Sequence, residues 1–331
     1  MRQGLLLSVL LLSSLLFVPF AAYATLMEPI TVKQWLKDEH VHRKVTELMH
    51  YVDDDELDSL KFALERLALP QQEVARFVLL STIENQHRAI SPKMAMFLER
   101  QIAYSPTYKV LERGEGYEFT VPAFNYPATA SRLLKQWQQD QTTLDFILSA
   151  ERKELKLQQW LSGSDYLMQT RESLLIRELE SLSPEAVFAL TEQLTSQTIT
   201  SWLPSSKVMV QLAKVSKSED VYHLLWRMKS DFYTESELER LAAESDAFSI
   251  SQVMSATANP VLKQQAFTAL VKTKPMNEDV KLFLLSKMQL TEDASLVAYE
   301  LERQGYRGWL EELVNSKQKL NTEAILQVLS H

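Results

Sequence analysis

The residues best suited to chemistry lie near the start of the chain. His40, His42 and His50 are followed at once by the run Asp53-Asp54-Asp55-Glu56. Imidazoles and carboxylates are the donors of zinc and hard-cation sites. Their spacing argues against a shared ion. On a helix His40 and His42 point to nearly opposite sides, whereas a helical zinc pair needs i, i+4. His42 and His50 are two turns apart. The acidic run suits the positive end of a helix dipole, and Asp53 with Glu56 has the spacing of a capping box for a helix starting at Asp53. His87, His223 and His331 have no ligating neighbour at useful spacing. The sequence therefore implies no metal site and no cofactor.

A nucleophile is equally hard to place. Ser162-Gly163-Ser164-Asp165 lacks the G-x-S-x-G elbow and reads as a turn into a helix starting near Asp165. Periplasmic lytic transglycosylases carry a catalytic Glu in an E-S pair, followed by a G-L-M-Q run. Here Glu172-Ser173 follows Leu167-Met168-Gln169, the order is reversed and the glycine is missing, so that match fails. No catalytic residue is assigned. The remaining Glu residues read as solvated helix faces.

Aromatics make a better case. Residues 104–127 hold six of them, with Pro106, Pro122, Pro127, Gly114 and Gly116, and interrupt an otherwise helical pattern. Tyr108-Lys109-Val110-Leu111 and Tyr117-Glu118-Phe119-Thr120-Val121 flank Arg113-Gly114-Glu115-Gly116, which predicts a β-hairpin with Tyr117, Phe119 and Val121 on one face. Exposed aromatics on an insertion are anchors for a partner. The candidate contact residues are Tyr108, Tyr117, Phe119, Phe124 and Tyr126. The competing reading folds these rings back over apolar helix faces.

The elements that must carry this insertion are helices. The first region runs from about Ile30 to Tyr51, with Trp35, Leu36, Val41, Val45, Leu48 and Met49 as its apolar set. Leu57, Leu60, Leu64 and Leu67 form the next stripe. Pro70 and Ser91-Pro92 open two more helices. After the insertion, Leu133 to Leu148 makes one long helix or two short ones, Leu155 to Leu161 a short one, and Tyr166 to Leu182 another. Further helices are expected near Pro184, Pro204, Ser218, Thr234, Ala247, Pro260, Pro275, Glu292, Gln304 and Thr322, with Asn259 and Thr291 as caps. From Pro260 on, a helix pair takes about 30 residues. Only 6 Gly in 331 residues, with heavy use of Leu, Glu, Gln and Lys, supports an all-α fold. Trp202, Trp226 and Trp309 fall within helical patterns and read as core.

Asn259-Pro260-Val261-Leu262-Lys263 with Ala266, Ala269 and Leu270 resembles the second half of a HEAT repeat: a capped start, a basic residue and small residues at close helix contacts. The resemblance covers about one repeat well and the rest in rhythm. It implies an α-α superhelix, or solenoid, of short antiparallel helices; an irregular helical bundle is the alternative. No functional residue carries over.

The chain begins with an expected signal peptide, residues 1–24. Arg2 is its basic start, Leu5 to Val18 its apolar run, and Ala22-Tyr23-Ala24 a small-x-small site, so cleavage falls between Ala24 and Thr25. The organisation expected is 25–103 helical, 104–127 inserted hairpin, 128–331 helical repeats continuous with 25–103. With no cysteine, lipid attachment at the cleavage site, disulfides and thiolate metal sites are excluded. A net charge of −8 disfavours nucleic acid and anionic membrane surfaces as partners. These readings lead to a periplasmic or otherwise exported, non-enzymatic protein binding a protein or peptide in the cell envelope. The alternatives are an enzyme acting on the cell wall through an unidentified carboxylate, and an accessory subunit of an envelope complex.

Overall fold

The computed structural model describes residues 25–114, 116–196, 202–272, 275–316 and 319–330. The expected signal peptide, with Ala24 at its end, lies outside them. The fold is all-α with one small sheet: the described residues form 18 α-helices and three short strands. The chain divides into two compact units, up to Thr142 and from Thr143 onward.

In the first unit, β1 (Thr25–Leu26) precedes α1 (Pro29–Leu36) and α2 (Glu39–Asp53). The first helical region expected from about Ile30 to Tyr51 consists of these two helices. Asp38 breaks it by adopting an extended backbone, and its carboxylate accepts from the His40 and Val41 amides at 2.7 and 3.3 Å. The helix expected at Asp53 starts later, as α3 (Leu57–Glu65), without a side-chain cap. Asp53 instead ends α2 and pairs with Arg88, while Asp55 takes a left-handed backbone (φ 55°) that turns the chain. Next come α4 (Gln71–Asn85) and α5 (Pro92–Ala103), the latter capped by Ser91 with Pro92 in its first turn, as the Ser-Pro pair predicts.

The hairpin is present as β2 (Tyr108–Arg113) and β3 (Glu118–Pro122), paired antiparallel from Lys109↔Pro122 to Arg113↔Glu118. The strand β1, not foreseen from sequence, pairs parallel with the start of β2, giving the order β1-β2-β3. Two residues are too short to show alternation. The core of this unit gathers Val41, Leu48, Leu60, Leu79, Leu98 and Phe124, among others.

Helix α6 (Tyr126–Glu151) is one long element. In the second unit follow α7 (Leu157–Trp160), α8 (Asp165–Glu178) running into a 3-10 turn at Leu179–Ser181, and α9 (Pro184–Thr195). Then come α10 (Ser206–Ser216), α11 (Glu219–Arg227), α12 (Phe232–Glu244), α13 (Ala247–Ala256), α14 (Lys263–Lys272), α15 (Glu278–Met288), α16 (Thr291–Arg303), α17 (Arg307–Asn315) and α18 (Thr322–Leu329). Ser183 caps α9 ahead of Pro184, and Ser218 caps α11 at the start expected near it. Several starts shift to better caps. Ser205, Asp231 and Asn277 cap α10, α12 and α15, where Pro204, Thr234 and Pro275 had been expected to open them. Thr291 is the first helical residue of α16 rather than its cap.

Alternate helices begin at Glu219, Ala247, Glu278 and Arg307, and at Phe232, Lys263, Thr291 and Thr322. The pair step is thus about 30 residues. From α9 to α18 each helix packs on the next, the next but one, or both. Apolar stripes such as Val297, Ala298 and Leu301 on α16 are covered by these neighbours. Trp226 is core, and Trp202 and Trp309 are half-buried against it.

Candidate functional site

The hairpin is held at its base by charged residues set into the apolar stripe of α4. Glu73 and Arg76 lie one turn apart on the face shared with Leu80 and Ile83, and both are buried. The Glu73 carboxylate accepts from the Thr107 amide at 2.6 Å and the Tyr108 amide at 3.3 Å, where the chain enters β2. The Arg76 guanidinium donates to the Gln101 side chain on α5. Its carbon lies 4.7 Å from the centre of the Tyr104 ring and 5.9 Å from that of Tyr126. Residues on both sides of the insertion are therefore tied to one helix. Burial, and next the nearby Glu73 charge, push the Tyr126 hydroxyl up to about 12. On the outer side the Thr25 amide donates to Thr107 O (3.1 Å) and the Met27 amide to Lys109 O (2.8 Å).

The tip is built differently. The Gly114 amide donates to Tyr117 O at 2.9 Å, and Gly116 holds φ +85°, which a side chain resists. The Tyr117 ring lies over Gly114, where an added methyl would come within 2.9 Å of it. Tyr117 and Phe119 have ring centres 5.6 Å apart. Behind them Arg113 and Glu118 pair at 2.9 Å on the opposite face.

The structure divides the five candidate contact residues. Tyr117 is 64% and Phe119 38% exposed, together at the tip; Tyr108 is half-buried at the base. Phe124 and Tyr126 are in the core of the first unit and offer no ring to a partner. Leu111, 42% exposed on the other face of the ribbon, was not singled out in the sequence. Nor were Glu73 and Arg76, although two charges at i, i+3 in an apolar stripe are a legible signal for a buried anchor.

The possible metal residues have local partners. His40 Nδ1 lies 3.0 Å from Arg43, and His42 Nε2 2.8 Å from Leu36 O. Asp55 accepts from the Ser91 hydroxyl at 2.5 Å and pairs with Lys93 at 3.2 Å, which holds its carboxyl below the usual range. Among the described residues, no three His, Asp or Glu side chains gather as a cation would need. Ser164 caps α8, as its turn predicts, and Ser173 donates to Gln169 O within that helix.

The second unit carries buried ionic staples. Glu-Leu-Glu-Arg occurs twice, at 237–240 on α12 and 300–303 on α16, each time with the first Glu buried and bonded to the Arg one turn later. Glu237 also accepts from the Tyr222 hydroxyl at 2.6 Å. Lys263 on α14 meets buried Asp293 on α16 at 2.7 Å. A groove of about 770 Å³ beside α9 is lined by Phe188, Thr191, Thr195 and Val215, with Glu185, Glu192 and Asp220 also on its wall.

No protein-family model, curated protein or solved structure matches the chain. Among the described residues no helix is long and apolar enough to cross a membrane.

Proposed function

We propose that this is an exported, non-enzymatic helical-repeat protein that binds a protein partner in the cell envelope through its hairpin tip. The observation that carries the reading is the pair Tyr117 and Phe119, exposed on a hairpin whose base is fastened by buried Glu73 and Arg76. Anchored aromatics lose little freedom on docking, which favours them as contact residues. The helix-pair step of about 30 residues and the neighbour-on-neighbour packing support a HEAT-like stack in the second unit. Export rests on the sequence of residues 1–24, with Thr25 as the new N-terminus.

The test is crosslinking in the producing cell, comparing the wild type with Tyr117→Ser/Phe119→Ser. The expected result is a specific partner that disappears in a variant of unchanged helicity. A partner kept by both moves the contact to the helices. No partner in either overturns the binding reading. N-terminal sequencing is expected to begin at Thr25, and an intact Met1 overturns export by cleavage.

A further inference from the structure

The free edge of the hairpin carries the proposal furthest. Among the described residues β3 pairs with β2 alone, so its outer edge is open. Which groups face out follows from the register. The Gly114 amide bonds Tyr117 O, and the Ala123 amide bonds Tyr108 O. Between these ends, Glu112↔Phe119 and Val110↔Val121 are the pairs that exchange inward bonds, because bonded and non-bonded pairs alternate in an antiparallel ladder. Glu118 and Thr120 must therefore turn their N–H and C=O groups to the open side. Pro122, which has no N–H, ends the run.

This edge is complementary to itself. A two-fold axis at Phe119 sets Glu118 opposite Thr120 of a second copy, so each outward donor meets an outward acceptor. The same axis sets Phe119 against Phe119 as a non-bonded pair, where side chains come closest, and Tyr117 against Val121. No like charges face each other, because Glu118 meets a threonine and is already paired with Arg113. The strands carry Lys109 and Arg113 against Glu112 and Glu118, so they balance in charge although the whole chain is at −8. Resting on the reading that the hairpin tip is the contact element, we infer that its partner is a second copy of this chain, joined β3 to β3 about Phe119 into a continuous sheet.

The chain has no cysteine, so single introduced thiols report the register without background. Phe119→Cys is expected to oxidise to a covalent dimer, since the facing Cα atoms in a non-bonded pair fall within disulfide reach. Tyr117→Cys, at the more exposed position, is expected to stay monomeric because it faces residue 121. Glu118→Cys and Thr120→Cys are each expected to stay monomeric alone and to link when mixed, which tests the register with Phe119 intact. Adding Thr120→Pro to Phe119→Cys removes only an outward N–H and is expected to abolish the link. Failure of both Phe119→Cys and the mixture to link, or equal linking by Tyr117→Cys, overturns the inference. If linking fails while Tyr117→Ser/Phe119→Ser still loses a crosslinked partner, the partner is a different protein and the functional reading stands without self-pairing.

Discussion

Asn259 shows how one polar side chain can join two connections between helices of the second unit. Its amide nitrogen donates to Trp226 O at 2.9 Å and to Met228 O at 3.2 Å, closing the end of α11. Its oxygen accepts from the Val261 amide at 3.0 Å, opening the turn before α14. Asn259→Ala removes all three bonds and takes from the Trp226 carbonyl its buried Asn259 donor. It is expected to cost about 2–3 kcal/mol, read as a lower urea midpoint at unchanged slope. Asn-Pro had marked a cap for a helix opening at Pro260, but α14 begins at Lys263 and Asn259 closes the turn before it; its grip on α11 was not legible, because no sequence spacing records a contact 33 residues back. Tyr126 gives a second prediction. Its pKa rises to about 12 in the folded chain from an ordinary 10.0, so between these values the unfolded chain has lost a proton that the native one keeps. Its contribution to stability is complete below pH 10 and is lost as pH rises towards 12. Tyr126→Phe is expected to flatten that alkaline loss in unfolding curves measured from pH 9 to 12.

At the scale of elements, the hairpin and its anchor make the sharpest contrast in legibility. The hairpin followed from two β-rich runs around Gly114 and Gly116, and its strands fall within two residues of expectation. Which rings face out did not follow, because Tyr117 and Tyr126 are the same residue type, sorted only by distance from the α4 anchor. Helix starts were legible where Ser-Pro combines a cap with a favoured first-turn residue, as at Ser91 and Ser183. They were misplaced where proline alone had marked the start and a better cap followed, as at Ser205 and Asn277. Glu73 is the residue through which the anchor can be tested. Glu73→Ala removes the acceptor of two amides and leaves Arg76 without its buried neighbour of opposite charge. The expected cost is about 2–4 kcal/mol, concentrated on the hairpin. Limited trypsin cleavage after Arg113 is expected to speed up markedly while helical circular dichroism changes little. A uniform loss of helix would instead make Glu73 a support of the whole first unit.

At the scale of the molecule, the question is how stability is distributed along α9 to α18. A repeat stack is held by nearest-neighbour interfaces, so damage at one end propagates only as far as the coupling between neighbours allows. The contacts have this form: α16 meets α14, α15, α17 and α18, whereas α10 meets α8, α9, α11 and α12. The ionic staples are local too, with Lys263–Asp293 joining α14 to α16 and the Tyr222–Glu237 bond joining α11 to α12. Ending the chain at Arg303 removes α17 and α18 and uncovers Val297, Ala298 and Leu301. A stack is expected to lose amide-exchange protection in α16, less in α14, and almost none in α10, with a net helical loss close to the residues removed. Burial on α10 gives the reason: Val208, Met209, Leu212 and Ala213 are covered by elements the truncation leaves in place. An irregular bundle with one cooperative core behaves differently, because protection then falls together in α10 and α16. The gradient of protection, rather than the total loss, separates the two architectures, since both expose the same apolar stripe at the cut.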